Sequence, residues 1–326
     1  MRCPKLNELL DPPKERTGWP WTVESPQLPD TMPDGKPWPK ISIVTPSYQQ
    51  GQFIEETIRT VLLQGYPNLE YIIMDGGSQD ETVEIIRRYE RFLTSWVSER
   101  DRGQSDAINK GWSASTGDIL YWLNSDDLLL PGTLAKVAEA FNREEGTQIV
   151  SGVCSVTDSK LVEYRIKPPR DFDIEYFLMG ELGPGQPAVF ISRAVFEKVG
   201  PVDESLHYTM DREYWTRISY LCPGIKAVKL SDKLAISREW FDCKSVKNMG
   251  IAYQERLKIL DKIYSQPDVP SNVRGLKRRA YGTTTWASAC LLKDDKKCSE
   301  ALRMMFAALR WNPLRVKSVP KFLLTL

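Results

Sequence analysis

Residues 71–80 read Tyr-Ile-Ile-Met-Asp-Gly-Gly-Ser-Gln-Asp. An apolar run that ends on an acid and two glycines predicts a strand covered on both faces and stopped by a tight turn. Ser78-Gln79-Asp80-Glu81 then fits a capping box, with a helix continuing through Ile85, Ile86, Tyr89 and Phe92. The same unit recurs on either side. Ile41-Ser42-Ile43-Val44 is a β-branched run ending at Pro46; Ile54, Ile58, Val61 and Leu62 follow at helical spacing, and Gly65 supplies a stop. Ser95 to Glu99 predicts a third strand, residues 104–114 a helix, Asp118 to Leu123 a fourth strand and Thr133 to Phe141 a further helix. This alternation predicts an α/β protein with a mostly parallel central sheet and crossover helices.

Beyond residue 150 the pattern is mixed. Gln148 to Val156 and Lys160 to Ile166 suit a hairpin around Asp158-Ser159, Ala188 to Ser192 a strand, and residues 211–221 a helix. From about residue 242 the chain reads as helices with breaks near Pro267 and Pro313. The first 40 residues hold 9 of the 22 prolines, too many for a helix or central strand. Trp19, Trp21 and Trp38 among them predict an arm packed over a domain surface. The expected organisation is an arm over 1–40, a domain over 41–240 whose pattern changes after about residue 130, and a helical extension over 241–326.

With 326 residues, 41% hydrophobic and 27% charged, the chain has material for a sizeable core. Its net charge of +1 speaks against a general nucleic-acid binder. The single histidine, His207, leaves acid–base work mainly to carboxylates and rules out a two-histidine zinc site. Six scattered cysteines without a C-x-x-C pair read as free thiols of a reducing compartment. No apolar run suits a signal peptide or a membrane span, so the expected location is cytoplasmic. The near-neutral sum conceals an asymmetry: from Ser271 onward there are 12 Lys/Arg against 3 Asp/Glu. Trp311, Leu314, Val319, Phe322, Leu323 and Leu324, set among Arg310, Arg315, Lys317 and Lys321, read as an interfacial segment suited to the anionic inner face of a membrane.

Ligands of parallel α/β sheets bind outside the carboxyl ends of the strands. Those ends here are Thr45-Pro46-Ser47-Tyr48, Asp75-Gly76-Gly77-Ser78, Glu99 to Gly103, and Asn124-Ser125-Asp126-Asp127. Asp126 and Asp127 repel one another, which suits a shared Mg²⁺ or Mn²⁺; alternatively they cap the helix after Pro131. Asp75 either accepts a hydrogen bond from a nucleobase N–H or closes an Asx turn. Asp211, where a loop gives way to a helix, is either a cap or, if burial raises its pKa, a general base. No G-x-G-x-x-G or P-loop pattern is present.

Five segments in order, ISIVTPSY (41–48), YIIMDGGSQD (71–80), RGQSDAINKG (102–111), GDILYWLNSDD (117–127) and the stretch from Gln186 to Trp215, resemble the family 2 inverting glycosyltransferases of the GT-A fold. The resemblance covers roughly residues 40–240 and implies a Rossmann-like sheet flanked by helices, with a nucleotide-sugar-binding half over 41–130 and an acceptor-binding half over 131–240. It implies that Thr45, Pro46, Tyr48, Asp75, Asp101, Gly103, Asn124, Ser125 and Asp126 line the pocket of a nucleotide-diphosphate sugar, UDP-linked by preference. It implies Asp126 and Asp127 as acids for Mn²⁺ or Mg²⁺ and Asp211 as the catalytic base. The acceptor would be a carbohydrate or a lipid-linked sugar. Two departures stand out: Asn124 occupies the first position of the family's aspartate-any-aspartate signature, and Ser237 to Asp242 lacks the histidine many relatives carry, so that either Arg238 or a nearby lysine supplies its charge or the diphosphate is held less tightly. The rival readings are a nucleotidyltransferase of similar fold and a non-catalytic carbohydrate-binding scaffold.

Overall fold

All seven side chains of β1 (Ile41–Ser47) are buried, as a strand covered on both faces requires. The computed structural model describes residues 1–179, 183–241, 243, 249–294 and 296–324; Asp242 of the stretch that lacks the family histidine lies outside them. The other strands are β2 (Leu69–Asp75), β3 (Ser95–Ser98), β4 (Ile119–Trp122), β5 (Leu128–Leu129), β6 (Ile149–Thr157), β7 (Glu163–Lys167), β8 (Val189–Ser192) and β9 (Ala227–Arg238). They form one sheet in the order β3-β2-β1-β4-β8-β6-β9-β5, with β7 beside β6. Pairing is parallel across β3-β2-β1-β4 and between β6 and β9. It is antiparallel where β8 joins β4 to β6, and at β5 and β7. The hairpin expected around Asp158 forms between β6 and β7.

Helices α1 (Ile54–Leu62), α2 (Thr82–Tyr89), α3 (Gln104–Ala114) and α4 (Thr133–Arg143) fall where the periodicity predicts. The capping box does not form. Ser78 Oγ donates to Asp75 and accepts the Gln49 N–H, so it belongs to the turn, and α2 begins at Thr82 with Asp80 Oδ1 accepting the Thr82 N–H at 3.1 Å. The chain then adds α5 (Ile174–Leu178), α6 (Arg193–Val199) and α7 (Met210–Leu221).

The chain divides into two compact units. The first comprises residues 1–171, 184–204 and 221–239 and contains the whole sheet. The proline-rich arm is part of it. Trp21 and Trp38 are buried, Trp38 stands edge-on to Tyr66, and Trp19 Nε1 donates to the Leu129 carbonyl at 2.9 Å. A side chain at Gly65 would meet the Pro26 carbonyl oxygen at 2.2 Å, and its φ of +65° favours glycine independently, so this turn lets the arm lie directly on the backbone. Arg59 is fully buried in α1, and burying a charge is costly unless its donors are met. Its guanidinium donates to the carbonyls of Leu10, Pro20 and Trp21 and to Tyr89 Oη.

The second unit comprises residues 172–183, 205–220 and 240–326. It holds α5 and α7 together with α8 (Met249–Tyr264), α9 (Ser271–Gly275), α10 (Lys277–Asp294), α11 (Cys298–Trp311) and α12 (Val319–Leu324). The segment 205–220, which carries Asp211, thus groups with the helical extension. Ala289, Ala301, Met305 and Phe322 form a small core there. Half of the apolar residues expected to form an interfacial segment are instead taken up by packing within the unit. Phe322 is buried, Val319 packs on the same core and Trp311 stacks on Tyr281 at 4.5 Å, whereas Leu314, Leu323 and Leu324 are exposed. None of the six cysteines is in a disulfide. Among the described residues, no helix is long and apolar enough to cross a membrane.

Candidate active site

Parallel strands of similar register bring their carboxyl ends to one edge, and in the first unit four loops meet there. The Gly76 N–H donates to the Ser47 carbonyl at 2.8 Å, and the Glu99 N–H to the Asp75 carbonyl at 3.0 Å. Asp75 is buried, and both of its carboxylate oxygens serve the turn. Oδ2 accepts from the N–H groups of Gly77 and Ser78 and from Ser98 Oγ, and Oδ1 accepts from Ser78 Oγ. The Asx-turn reading therefore describes its present contacts. Any side chain at Gly76 would come within 2.9 Å of Asp101 Oδ2, so the missing Cβ lets the second and third loops touch. Asp101 Oδ1 accepts the Gly103 N–H at 2.8 Å at the start of α3. Thr45 and Pro46 are buried in β1, with Thr45 Oγ1 3.2 Å from Tyr71 Oη, while Tyr48 stands out into solvent, 61% exposed. Beside it, Ser47 Oγ and Gln50 Oε1 are buried without a hydrogen-bond partner. Buried polar atoms are rarely left so.

The fourth loop is held by amides. Gln104 Nε2 donates to Asn124 Oδ1 at 2.7 Å, Asn124 Nδ2 donates to Asp127 Oδ2 at 2.9 Å, and Gln186 Nε2 donates to the Trp122 carbonyl at 2.8 Å. Asn124, at the signature's first position, thus orients Asp127 as a neutral donor; an aspartate there would add a third negative charge. Ser125 is buried and Asp126 half-buried. Asp127 is 2% exposed, and its other oxygen accepts the Arg238 backbone N–H at 2.9 Å. Burial, reinforced by the neighbouring Asp126 charge, pushes the Asp127 carboxyl well above the usual range, against the pull of Arg238 and Asn124.

Arg238 ends β9 where the family histidine is missing. Its guanidinium is committed: Nη2 donates to Glu56 Oε2 at 2.6 Å, and the group lies 4.5 Å from the Phe53 ring centre. Glu56 Oε1 in turn accepts Trp21 Nε1 at 3.0 Å and faces Arg16 at 3.6 Å. The arm therefore reaches the acidic loop through Trp21, Glu56 and Arg238. Arg238 Nε is buried without a partner.

In the second unit, Asp211 sits in the first turn of α7, half-buried, its Oδ1 accepting the Arg212 N–H at 2.7 Å. The loop before it is clamped by Glu255 of α8, 2% exposed, whose carboxylate accepts the backbone N–H groups of His207, Tyr208 and Thr209 at 2.8 to 2.9 Å and the Thr209 hydroxyl. A carboxylate from another helix thereby meets donors that a helix N-terminus leaves open. The His207 side chain is exposed.

Glu56, Gln104, Gln186 and Glu255 are not legible from spacing: each meets its partner across 20 to 182 residues. Among the described residues no three His, Cys, Asp or Glu side chains cluster to hold a metal alone.

The sequence profile described as Glycosyl transferase family 2 matches residues 42–200. An uncharacterized glycosyltransferase of Mycobacterium tuberculosis is 30% identical over 190 residues, which are 57% of this chain and 71% of that protein. The chain belongs to glycosyltransferase family 2. An uncharacterized glycosyltransferase of Rickettsia typhi is 29% identical over 185 residues, 54% of this chain and 58% of its own. The GT-A fold is shared with two solved glycosyltransferases. S. aureus TarS 1-349 in complex with UDP-GlcNAc superposes with a TM-score of 0.58 at 13% identity, covering 83% of this chain and 89% of that fragment. The mannosyltransferase PcManGT from Pyrobaculum calidifontis, in complex with GDP-Man and Mn2+, gives 0.56 at 19% identity, covering 91% and 88%.

Proposed function

We propose that this family 2 glycosyltransferase is metal-dependent and inverting, and moves a sugar from a nucleotide-diphosphate donor, UDP-linked by preference, to an acceptor hydroxyl in polysaccharide or glycolipid synthesis. The observation that carries the reading is the convergence of Asp75, Asp101 and Asn124–Asp127 at one sheet edge beside the unpartnered Ser47 and Gln50 atoms. Asp75 shapes the turn that would take the base, and Tyr48 offers an exposed ring beside it. Asp126 fits a hard cation: its loop supplies carboxylate oxygen, and Mg²⁺ and Mn²⁺ are commonly held by one or two carboxylates plus substrate phosphates. The oxygens of Asp127 already accept from Asn124 and Arg238, so Asp126 is the first ligand and Asp127 the supporting one. A bound ion there would stabilise charge on the departing diphosphate. Asp211 is the proposed base, taking the proton of the attacking hydroxyl at its carboxylate, and one base on one face suits inversion by direct displacement.

Asp211→Asn should abolish transfer while keeping metal-dependent nucleotide binding; retained turnover would remove Asp211 from the role. Release of pyrophosphate in place of a nucleoside diphosphate would favour the nucleotidyltransferase reading. For the acceptor side, the exposed Leu314, Leu323 and Leu324 among Arg315, Lys317 and Lys321 support contact with an anionic membrane surface at the cytoplasmic face. Sedimentation with anionic but not neutral liposomes at low salt is the expected result, and no sedimentation with either removes the contact.

A further inference from the structure

We propose that Tyr164, Arg165 and Glu239 form a saccharide subsite of the first unit, at which the tyrosine ring takes the apolar face of a pyranose of the acceptor. The three side chains make one cluster. Tyr164 Oη donates to Glu239 Oε2, Arg165 Nη2 donates to Glu239 Oε1 at 2.7 Å, and the Arg165 guanidinium lies 6.0 Å from the Tyr164 ring centre. The phenol end of the ring is thus fixed by a carboxylate, yet the residue is 56% exposed. Register places the cluster beside the acidic loop. Arg238, which ends β9, donates its backbone N–H to Asp127 and pairs with Thr157 of β6, which pairs in turn with Glu163 of β7. Glu239 follows Arg238 and donates its own N–H to the Thr157 carbonyl at 2.8 Å. Neighbouring strands lie about 4.8 Å apart, so β7 at Glu163 runs roughly 10 Å from the backbone that holds Asp127.

An aromatic ring held in place but left mostly in water adds little to the fold, because its ordering costs side-chain entropy while little of its surface is buried. A sugar reverses that balance. The C–H groups on one face of a pyranose carry slight positive charge and pack on the negative face of an aromatic ring, and a binding site needs only a few convergent polar groups beside such a surface. Glu239 and Arg165 supply them. A carboxylate offers about four acceptor positions, and the bonds from Tyr164 and Arg165 leave the others for sugar hydroxyls. Arg165 spends one N–H on Glu239, and its remaining donors suit sugar oxygens. Position ties the subsite to the acceptor: a saccharide whose reacting hydroxyl lies near Asp126 and Asp127 has its following ring within reach of β7. That link rests on the proposed transfer; saccharide binding itself does not.

The direct test is saturation-transfer NMR of the full chain, in EDTA and without nucleotide, with the methyl glycosides of glucose, galactose, mannose, rhamnose and N-acetylglucosamine. The expected result is saturation of the ring C–H protons of at least one glycoside, with an affinity that falls about fivefold or more in Tyr164→Ala and survives in Tyr164→Phe, which keeps the ring. Absence of binding to the unsubstituted protein, or equal binding to Tyr164→Ala, overturns the subsite. Binding of octyl but not methyl glycosides would mark a surface for alkyl chains and overturn the saccharide assignment. If Tyr164→Ala does not fold, nitration of the unsubstituted chain with tetranitromethane, read by peptide mass spectrometry, replaces it: the bound glycoside should protect Tyr164, and no protection overturns the subsite. In transfer assays with the corresponding disaccharides, a rise in acceptor KM that exceeds any rise in donor KM in Tyr164→Ala supports the acceptor assignment, and an equal rise in both overturns it. Transfer without glycoside binding at Tyr164 would sink this subsite and leave the transferase reading standing. Glycoside binding at Tyr164 without release of a nucleoside diphosphate from any donor would do the reverse.

Discussion

Replacing Glu56 by glutamine should unfold the first unit at markedly lower temperature. The Glu56 side chain is 8% exposed and that of Arg238 2%, so the pair is shielded from solvent. Removing one charge leaves the Arg238 guanidinium buried with an uncompensated charge, while its Nε already lacks a partner. Breaking a buried pair in this way costs about 3–5 kcal/mol, a large part of the roughly 5–15 kcal/mol that holds a typical domain folded. For a unit of this size each kcal/mol moves Tm by roughly 2–4 °C, so a fall on the order of 6–20 °C is expected. The assay is thermal unfolding by circular dichroism of Glu56→Gln, Arg238→Met and the double variant. Once both charges are gone the buried-charge penalty goes with them, so the double variant should recover at least half of the loss in Glu56→Gln. A loss below about 1 kcal/mol, or losses that simply add, would refute the idea that the arm, α1 and the acidic loop are joined through this pair.

Other expectations concern neighbouring groups. Hydrogen bonding from Arg102 lowers the Asp106 carboxyl from 3.8 to about 2. A depressed carboxyl stabilises above its unfolded pKa and loses that contribution as pH falls through its folded value. Asp106→Asn should therefore cost about 1–2 kcal/mol at neutral pH, progressively less as pH falls below about 4, and nothing only well below pH 2, after allowing for the exposure of Arg102; a pH-independent difference in denaturant unfolding contradicts this. Glu255→Gln halves the acceptor capacity offered to the loop before Asp211 and should cost about 1–3 kcal/mol in the same assay. It should also lower kcat more than it raises the donor KM, whereas a change confined to donor KM would contradict a role in placing Asp211. Asp126→Asn should abolish metal-dependent nucleotide binding in a thermal-shift titration with Mn²⁺, and an unchanged shift would move the cation elsewhere.

The parallel half of the sheet is legible in the sequence because β1 and β2 are short, mostly apolar runs, Ile41-Ser42-Ile43-Val44 and Tyr71-Ile72-Ile73-Met74, that lead into turn-forming residues. The 12-residue β9 is not, because its exposure alternates irregularly and Lys229, Asp232 and Lys233 break up its apolar content. The capping-box spacing at Ser78 misleads because Asp75 claims that hydroxyl through the folded turn, a competition local spacing does not reveal. In the site, the acids at the strand ends follow from strand position alone, and Arg238 is marked by the missing histidine. What the sequence hides is that Arg238 is neutralised by Glu56, 182 residues away, and that the loop before Asp211 depends on a carboxylate in another helix. Tertiary contacts of that span leave no periodic trace.

Phosphorus NMR of the purified chain with a panel of UDP- and GDP-linked sugars and Mn²⁺ tests the central claim most directly. Formation of a nucleoside diphosphate, lost in both Asp126→Asn and Asp211→Asn, is the predicted result. Release of pyrophosphate, or an undiminished nucleoside diphosphate signal in the two variants, would contradict it.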